Sequence, residues 1–128
     1  MFKKSIIIFG FALLFNWFWE IAHSVLYVNY QGGAITSFVL FRAALVDAVI
    51  ILFLIFIAEI FKLNKTLFIV GGGLLVAIVI EIWAMHIHQR TYNALMPIIP
   101  IIKTGLTPTI QLAVTGLITL KLAVKNHI

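Results

Sequence analysis

The chain has 128 residues, of which 63% are hydrophobic and only 10% charged. Soluble domains carry about 25% charged residues, and a compact chain of this length still leaves about a third of its surface outside. This composition cannot make such a surface polar, which excludes a soluble enzyme, a DNA-binding domain and a disordered tail together. The net charge of +5 comes from bases standing singly or in pairs at the ends of apolar runs. That is the pattern of membrane anchoring rather than of nucleic-acid binding, so membrane lipids are the expected partner and nucleic acid is not. With no cysteine, disulfides, thiolate metal sites and thiol catalysis are excluded.

A membrane span needs roughly 20 mainly apolar residues, and four segments supply them, predicting one all-α domain over residues 1–128. The first runs over Ser5–Val28. Lys3-Lys4 before it imitates a signal peptide, but the run passes through Phe18 and Trp19 without a small-residue cleavage motif, so it reads as retained. Asn16, Glu20, His23 and Tyr27 follow helical spacings and share one polar face. A Gly-rich turn over Asn29–Ser37 leads to the second span, Phe38–Phe61. There Ala43, Ala44 and Ala48 surround Asp47 with small residues that permit close helix approach. Glu59, three residues before Lys62, reads as a local ion pair near the inner boundary.

A tight turn over Lys62–Lys65 precedes the third span, Thr66–His88. Ala77, Glu81, Ala84 and His88 share its polar face, while His86 points elsewhere. The connector Gln89–Gly105 is apolar but carries Pro97 and Pro100, which forbid a continuous helix. It is expected to lie in the outer interface or to dip back into the bundle. The fourth span, Leu106–Val124, continues a stripe of Thr104, Thr107, Gln111, Thr115 and Thr119, and Pro108 is expected to free backbone carbonyls near Gln111.

Lys3, Lys4, Lys62, Lys65, Lys121 and Lys125 fall on one side of these spans, and Arg42, Arg90 and Lys103 on the other. The positive-inside rule then places both termini in the cytoplasm. Sliding the sequence by 61 residues aligns Lys4–Ile21 with Lys65–Ile82 and matches Lys4, Ile8, Gly10, Leu13, Leu14, Glu20 and Ile21 with identical residues. Two hairpins of the same orientation explain this; chance alignment of two apolar helices is the alternative. Either way each glutamate lies 16 residues beyond an inner lysine, about 24 Å across a core of roughly 30 Å.

An acid at the centre of a spanning helix costs about 2.5–3.5 kcal/mol. Interhelical polar contacts return only about 0.6 kcal/mol each, so glue alone is an expensive explanation for Glu20, Asp47 and Glu81. Three chemistries fit. Apolar surroundings favour the neutral forms of carboxyl and imidazole, which eases proton exchange between them. Glu20, His23, Asp47 and Glu81 would then move a proton within a small apolar or lipid-like molecule, as an isomerase requires. Asn16, Arg42, His88, Thr107 and Gln111 would bind it. Alternatively Glu20-x-x-His23 is half of a di-iron-type pattern, and Glu20, His23, Glu81 and His88 are the metal-ligand candidates; no cofactor follows from the sequence alone. A proton-translocating homo-oligomer is the third chemistry, although the inner half offers only Thr115 and Thr119. The non-catalytic reading is a membrane subunit that assembles with itself or with a partner.

Tyr92, Met96-Pro97-Ile98-Ile99-Pro100 and Gly105-Leu106-Thr107-Pro108 with Gln111, together with Trp19-Glu20 and Asp47, form a set of short motifs over most of the chain. The set resembles a recurrent pattern in small four-span integral membrane proteins of bacteria. The resemblance implies a bacterial inner-membrane protein in which Glu20, Asp47, Glu81, Pro108 and Gln111 belong together. It implies no particular reaction.

Overall fold

The computed structural model describes residues 2–30, 36–86, 90–92, 94–100 and 105–124. Among them are four helices: α1 (Phe2–His23), α2 (Ser37–Ile60), α3 (Lys65–His86) and α4 (Leu106–Thr119). The first three are long and apolar enough to cross a membrane, and the fourth continues through a π-turn at Leu120–Val124 as a shorter apolar helix. Two short strands, β1 (Tyr27–Tyr30) and β2 (Arg90–Tyr92), pair antiparallel where α1 and α3 end.

Local chemistry sets the helix ends. Thr36 caps α2 by accepting from Val39 N at 3.2 Å, and Asn64 Oδ1 accepts from Leu67 N at 3.0 Å before α3. At the end of α2, Leu63 N donates to Ala58 O at 2.8 Å and Lys62 N to Glu59 O at 3.2 Å. This is a Schellman closure, and its left-handed residue is Lys62 with φ 55° instead of the usual glycine.

The helices alternate in direction and pack in a ring. α1 lies against α2 and α3 against α4, with α2–α3 and α1–α4 closing the circle. At one end Lys4 pairs with Glu59; at the other the ribbon joins the two halves. The Glu59 partner differs from the local one expected. Lys62 is taken up by the turn that ends α2, while antiparallel packing brings Lys4 from 55 residues away.

The 61-residue offset persists in three dimensions. Each identical pair shares one exposure on α1 and α3: Ile8 and Ile69 are buried, Gly10 and Gly71 exposed, Glu20 and Glu81 buried. Over the aligned segment only Ser5 and Thr66 differ in exposure. In the ribbon Asn29 pairs with Thr91 and Tyr30 with Arg90. The offset carries Asn29 to Arg90 and Tyr30 to Thr91, so exchanging the halves turns each pair into the other. A pseudo-two-fold axis therefore passes between the two pairs.

Small residues let the helices approach. A Cβ at Gly73 would stand 2.9 Å from Ala113 N, and one at Gly116 would stand 2.7 Å from the Ile69 side chain. Between these contacts Ile8, Ile51, Ile55, Ile69 and Leu112 fill the apolar core. Large apolar side chains also face outward along the helices: Phe18 is 63%, Phe53 64% and Leu75 64% exposed.

Two expectations change, and one open alternative is resolved for the described residues. α1 stops at His23, and the chain turns through Ser24–Leu26 into β1, so Tyr27 does not extend the polar helix face. Pro108 sits in the first turn of α4, where backbone N–H groups have no intrahelical acceptor in any case; the ladder begins undisturbed with Thr109 N to Gly105 O at 3.2 Å. The described part of the proline connector, residues 94–100, folds back on the bundle by burying Met96 against Leu40 and Ala43, while Pro97 and Ile98 stay exposed.

Candidate functional site

Four-residue spacing places Ile8, Ala12, Asn16 and Glu20 on one line of α1, and His23 ends it one turn later. All five are buried. The upper part of this line meets Asp47 from α2 and Gln111 from α4.

Gln111 is the junction. Its Nε2 donates to Asp47 Oδ2 at 2.7 Å and to Asn16 Oδ1 at 2.9 Å, with Glu20 Oε1 at 3.4 Å. Thr115 supports it from below, its hydroxyl donating to the Gln111 carbonyl at 2.7 Å and lying 3.3 Å from Asn16 Oδ1. Asn16 uses its own amide to donate to Ala12 O at 2.8 Å. Three helices are thereby tied through one amide.

Towards the ribbon end the network continues as a dyad. His23 Nε2 lies 3.0 Å from Glu20 Oε2, and His23 Nδ1 lies 3.0 Å from Thr107 Oγ1. Thr107 in turn donates to Met96 Sδ at 3.4 Å. His23 is 4% and Glu20 1% exposed, so the pair is almost sealed from water. Beside it Trp19, Ala22, His23, Val25, Leu26 and Thr107 line a surface pocket of about 350 Å3. Trp19 stacks edge-on against the imidazole with ring centroids 6.5 Å apart. Its indole N–H is buried with no acceptor among the described residues.

On the other side of Gln111, Asp47, Glu81, Ala77 and Pro108 enclose a cavity of about 20 Å3, room for roughly one water. Glu81 is 1% exposed. Both carboxyl groups therefore meet the polar core, but differently: Glu20 contacts His23 and Gln111, and Glu81 lines the small cavity.

Of the residues expected at the site, Asn16, Glu20, His23, Asp47, Thr107 and Gln111 form one hydrogen-bonded network, and Glu81 joins it across the cavity. The Arg42 side chain is exposed on α2, with its guanidinium 5.8 Å from the centre of the Phe38 ring. Its position on the helix turns it away from the face that buries Ala43, Ala44 and Ala48. His88 and Thr104 lie outside the described residues. His86 is exposed, as its place off the polar face requires. Met96 and Trp19 belong to the site although only their motif, not their spacing, drew attention to them.

Of the metal-ligand candidates Glu20, His23, Glu81 and His88, the last lies outside the described residues. No three of His, Asp and Glu among the described residues gather closely enough to hold an ion. Glu20 and His23 face one another instead, and each imidazole nitrogen already has a partner. Glu-x-x-His is here a hydrogen-bonded dyad.

Exchanging the halves shows how specialised this side has become. The offset carries Glu20 to Glu81 but replaces Asn16 by Ala77, His23 by Ala84, Thr107 by Val46 and Gln111 by Ile50. At the positions matching this polar set, the α3–α2 side is aliphatic apart from Glu81, although Asp47 of α2 lies beside it. No family model, no curated protein and no solved structure matches the chain.

Proposed function

We propose that this is a four-span integral protein of a bacterial inner membrane, with both termini cytoplasmic. In this reading it binds a small apolar or lipid-like molecule in its extracytoplasmic half and converts it by acid–base chemistry. The observation that carries the proposal is the buried Glu20–His23 dyad at the wall of a largely apolar pocket of about 350 Å3. Ligand sites are commonly about 300–1,000 Å3, mainly apolar, with a few convergent polar groups. A carboxyl and an imidazole in hydrogen-bond contact away from water form a suitable proton donor and acceptor. Thr107 and the Trp19 ring line the same wall.

Purification in lipid nanodiscs followed by extraction and mass spectrometry tests binding. An apolar molecule is expected to accompany the wild-type protein and to fall at least tenfold in Ala22→Trp, which fills the pocket from its lining. Equal recovery from both proteins, or none from either, would overturn the pocket as the binding site.

A second reading is a non-catalytic membrane subunit, assembling with itself or another chain. It draws on the Gln111 amide, which joins α1, α2 and α4 through Asn16, Glu20 and Asp47 as structural glue would. Under that reading, substitution of His23 leaves any co-purified small molecule unchanged and alters only assembly.

A further inference from the structure

We infer that the groove between α1 and α2 at the Lys4–Glu59 end holds the headgroup of a phospholipid carrying a primary ammonium, its phosphate on Lys4 and its ammonium on Glu59. The inference rests on the membrane-spanning part of the reading above, not on the acid–base chemistry, and concerns the end of the bundle away from the dyad. Lys4, Ser5, Phe56, Glu59 and Ile60 line an open groove of about 580 Å3 there, within the size range of ligand sites. α1 begins at Phe2 and α2 ends at Ile60, so the groove lies where spanning helices reach the lipid headgroups. Ile60 and, two turns earlier, Phe53 are exposed. With Phe56 between them they make an apolar track along α2 for an acyl chain.

The polar end of the groove is a matched pair of opposite charges. Lys4 Nζ donates to Glu59 Oε2, and both side chains keep some exposure, 19% and 25%. An ammonium has three hydrogens and a carboxylate about four lone-pair sites, so one mutual bond leaves each with capacity for a second partner. Glu59 Oε1 has no hydrogen-bond partner among the described residues. It is covered by the protein, and a turn of the carboxyl group about its last torsion, which is soft, presents it to an incoming donor.

A cation and an anion side by side favour a zwitterion over either single charge. A phosphate meets Lys4, and a primary ammonium on a short link meets Glu59. An anionic headgroup without a cation sets its phosphate against Glu59 with nothing in return, and a trimethylated ammonium has no N–H to donate. Closing the hairpin does not explain the acid. The 61-residue offset carries Lys4 to Lys65 but Glu59 to Leu120, and Leu120 is buried in the apolar core. The second hairpin thus has a buried aliphatic side chain where the first has a carboxylate.

Competition among lipids tests this. The full chain is reconstituted in vesicles of equal parts phosphatidylethanolamine, phosphatidylglycerol and phosphatidylcholine with identical acyl chains. It is then taken into mild detergent at high salt, and the retained lipids are counted by mass spectrometry. High salt screens the exposed Lys3 and Lys62, which attract anionic lipid without any groove. Phosphatidylethanolamine is expected to be enriched about tenfold over each of the others, the worth of one hydrogen bond between charged groups. Glu59→Gln, which keeps the shape and loses the charge, is expected to abolish that preference, and Lys4→Gln to lower retention of all three lipids. Retention in the proportions of the vesicle, or either other lipid matching phosphatidylethanolamine, overturns the inference from the wild-type protein alone, whatever the stability of the variants. An unchanged preference in Glu59→Gln overturns it as well. So does loss of the preference in Ala22→Trp, which would move the lipid to the pocket beside the dyad. Failure to recover an apolar molecule from that pocket overturns the functional proposal and leaves this enrichment as it is.

Discussion

The Gln111 amide has two hydrogens and three acceptors within reach, on Asp47, Asn16 and Glu20, at 2.7, 2.9 and 3.4 Å. The two shorter contacts take the hydrogens, so Gln111 satisfies Asp47 and Asn16 and only brushes Glu20. Removing that amide takes a hydrogen-bond donor from the buried Asn16 oxygen and from the half-buried Asp47 carboxylate. Leaving a buried polar group unsatisfied costs about 1–3 kcal/mol, so Gln111→Leu is expected to lose about that much stability in detergent unfolding. Loss of less than a few tenths of a kcal/mol would show that water already serves these oxygens. The residues of this network were readable from sequence because helical spacing alone stacks Asn16, Glu20 and His23 on one line. Their partners were not. Nothing in the local pattern says that Gln111 reaches Asp47 across 64 residues, or that Glu59 takes Lys4 in preference to Lys62.

Among the helices, two glycines related to close packing and one left-handed lysine make separate predictions. Gly73 lies against the α4 backbone at Ala113, where an added methyl group has no flexible side chain to displace. Overpacking of this kind costs about 1–3 kcal/mol, and Gly73→Ala should lower the unfolding midpoint accordingly. Gly10 has open space around it, so Gly10→Ala should hold or raise the midpoint; equal losses at both positions would contradict the packing described here. Lys62 adopts φ 55°, a conformation costing about 1–2 kcal/mol for a residue with a Cβ. Lys62→Gly is therefore expected to stabilise the α2–α3 turn by about 1 kcal/mol, read from the same unfolding curves.

The four apolar runs were legible because their length and composition leave few alternatives, and α4 begins at Leu106 where the sequence placed it. The ribbon was not legible. Tyr27 continues the spacing of Asn16, Glu20 and His23, so periodicity extends the helix, whereas β1 exists through pairing with β2 about 60 residues away.

At the scale of the whole molecule, two similar hairpins surround a pseudo-two-fold axis, and only one inter-hairpin interface carries the full polar set. Repetition explains why Glu20 and Glu81 lie at one depth with equal burial. Divergence explains why a histidine, a threonine and a glutamine accompany the first and not the second. The proposed orientation is open to direct test because the chain lacks cysteine. A single cysteine at Lys62 should react with an impermeant maleimide only after the cytoplasmic side is opened, and one at Val25 should react in intact spheroplasts. The reverse pattern would invert the topology and place the pocket on the cytoplasmic side.

Proton transfer by the Glu20–His23 dyad is tested most directly by solvent deuterium. The wild-type protein in D2O, supplied with an apolar extract of its native membranes, should introduce deuterium into one extracted molecule, measured by mass spectrometry. Glu20→Gln should slow that incorporation about 100- to 10,000-fold, the range for loss of a general acid or base. Equal incorporation by wild type and Glu20→Gln, or none above protein-free extract, would contradict a catalytic dyad.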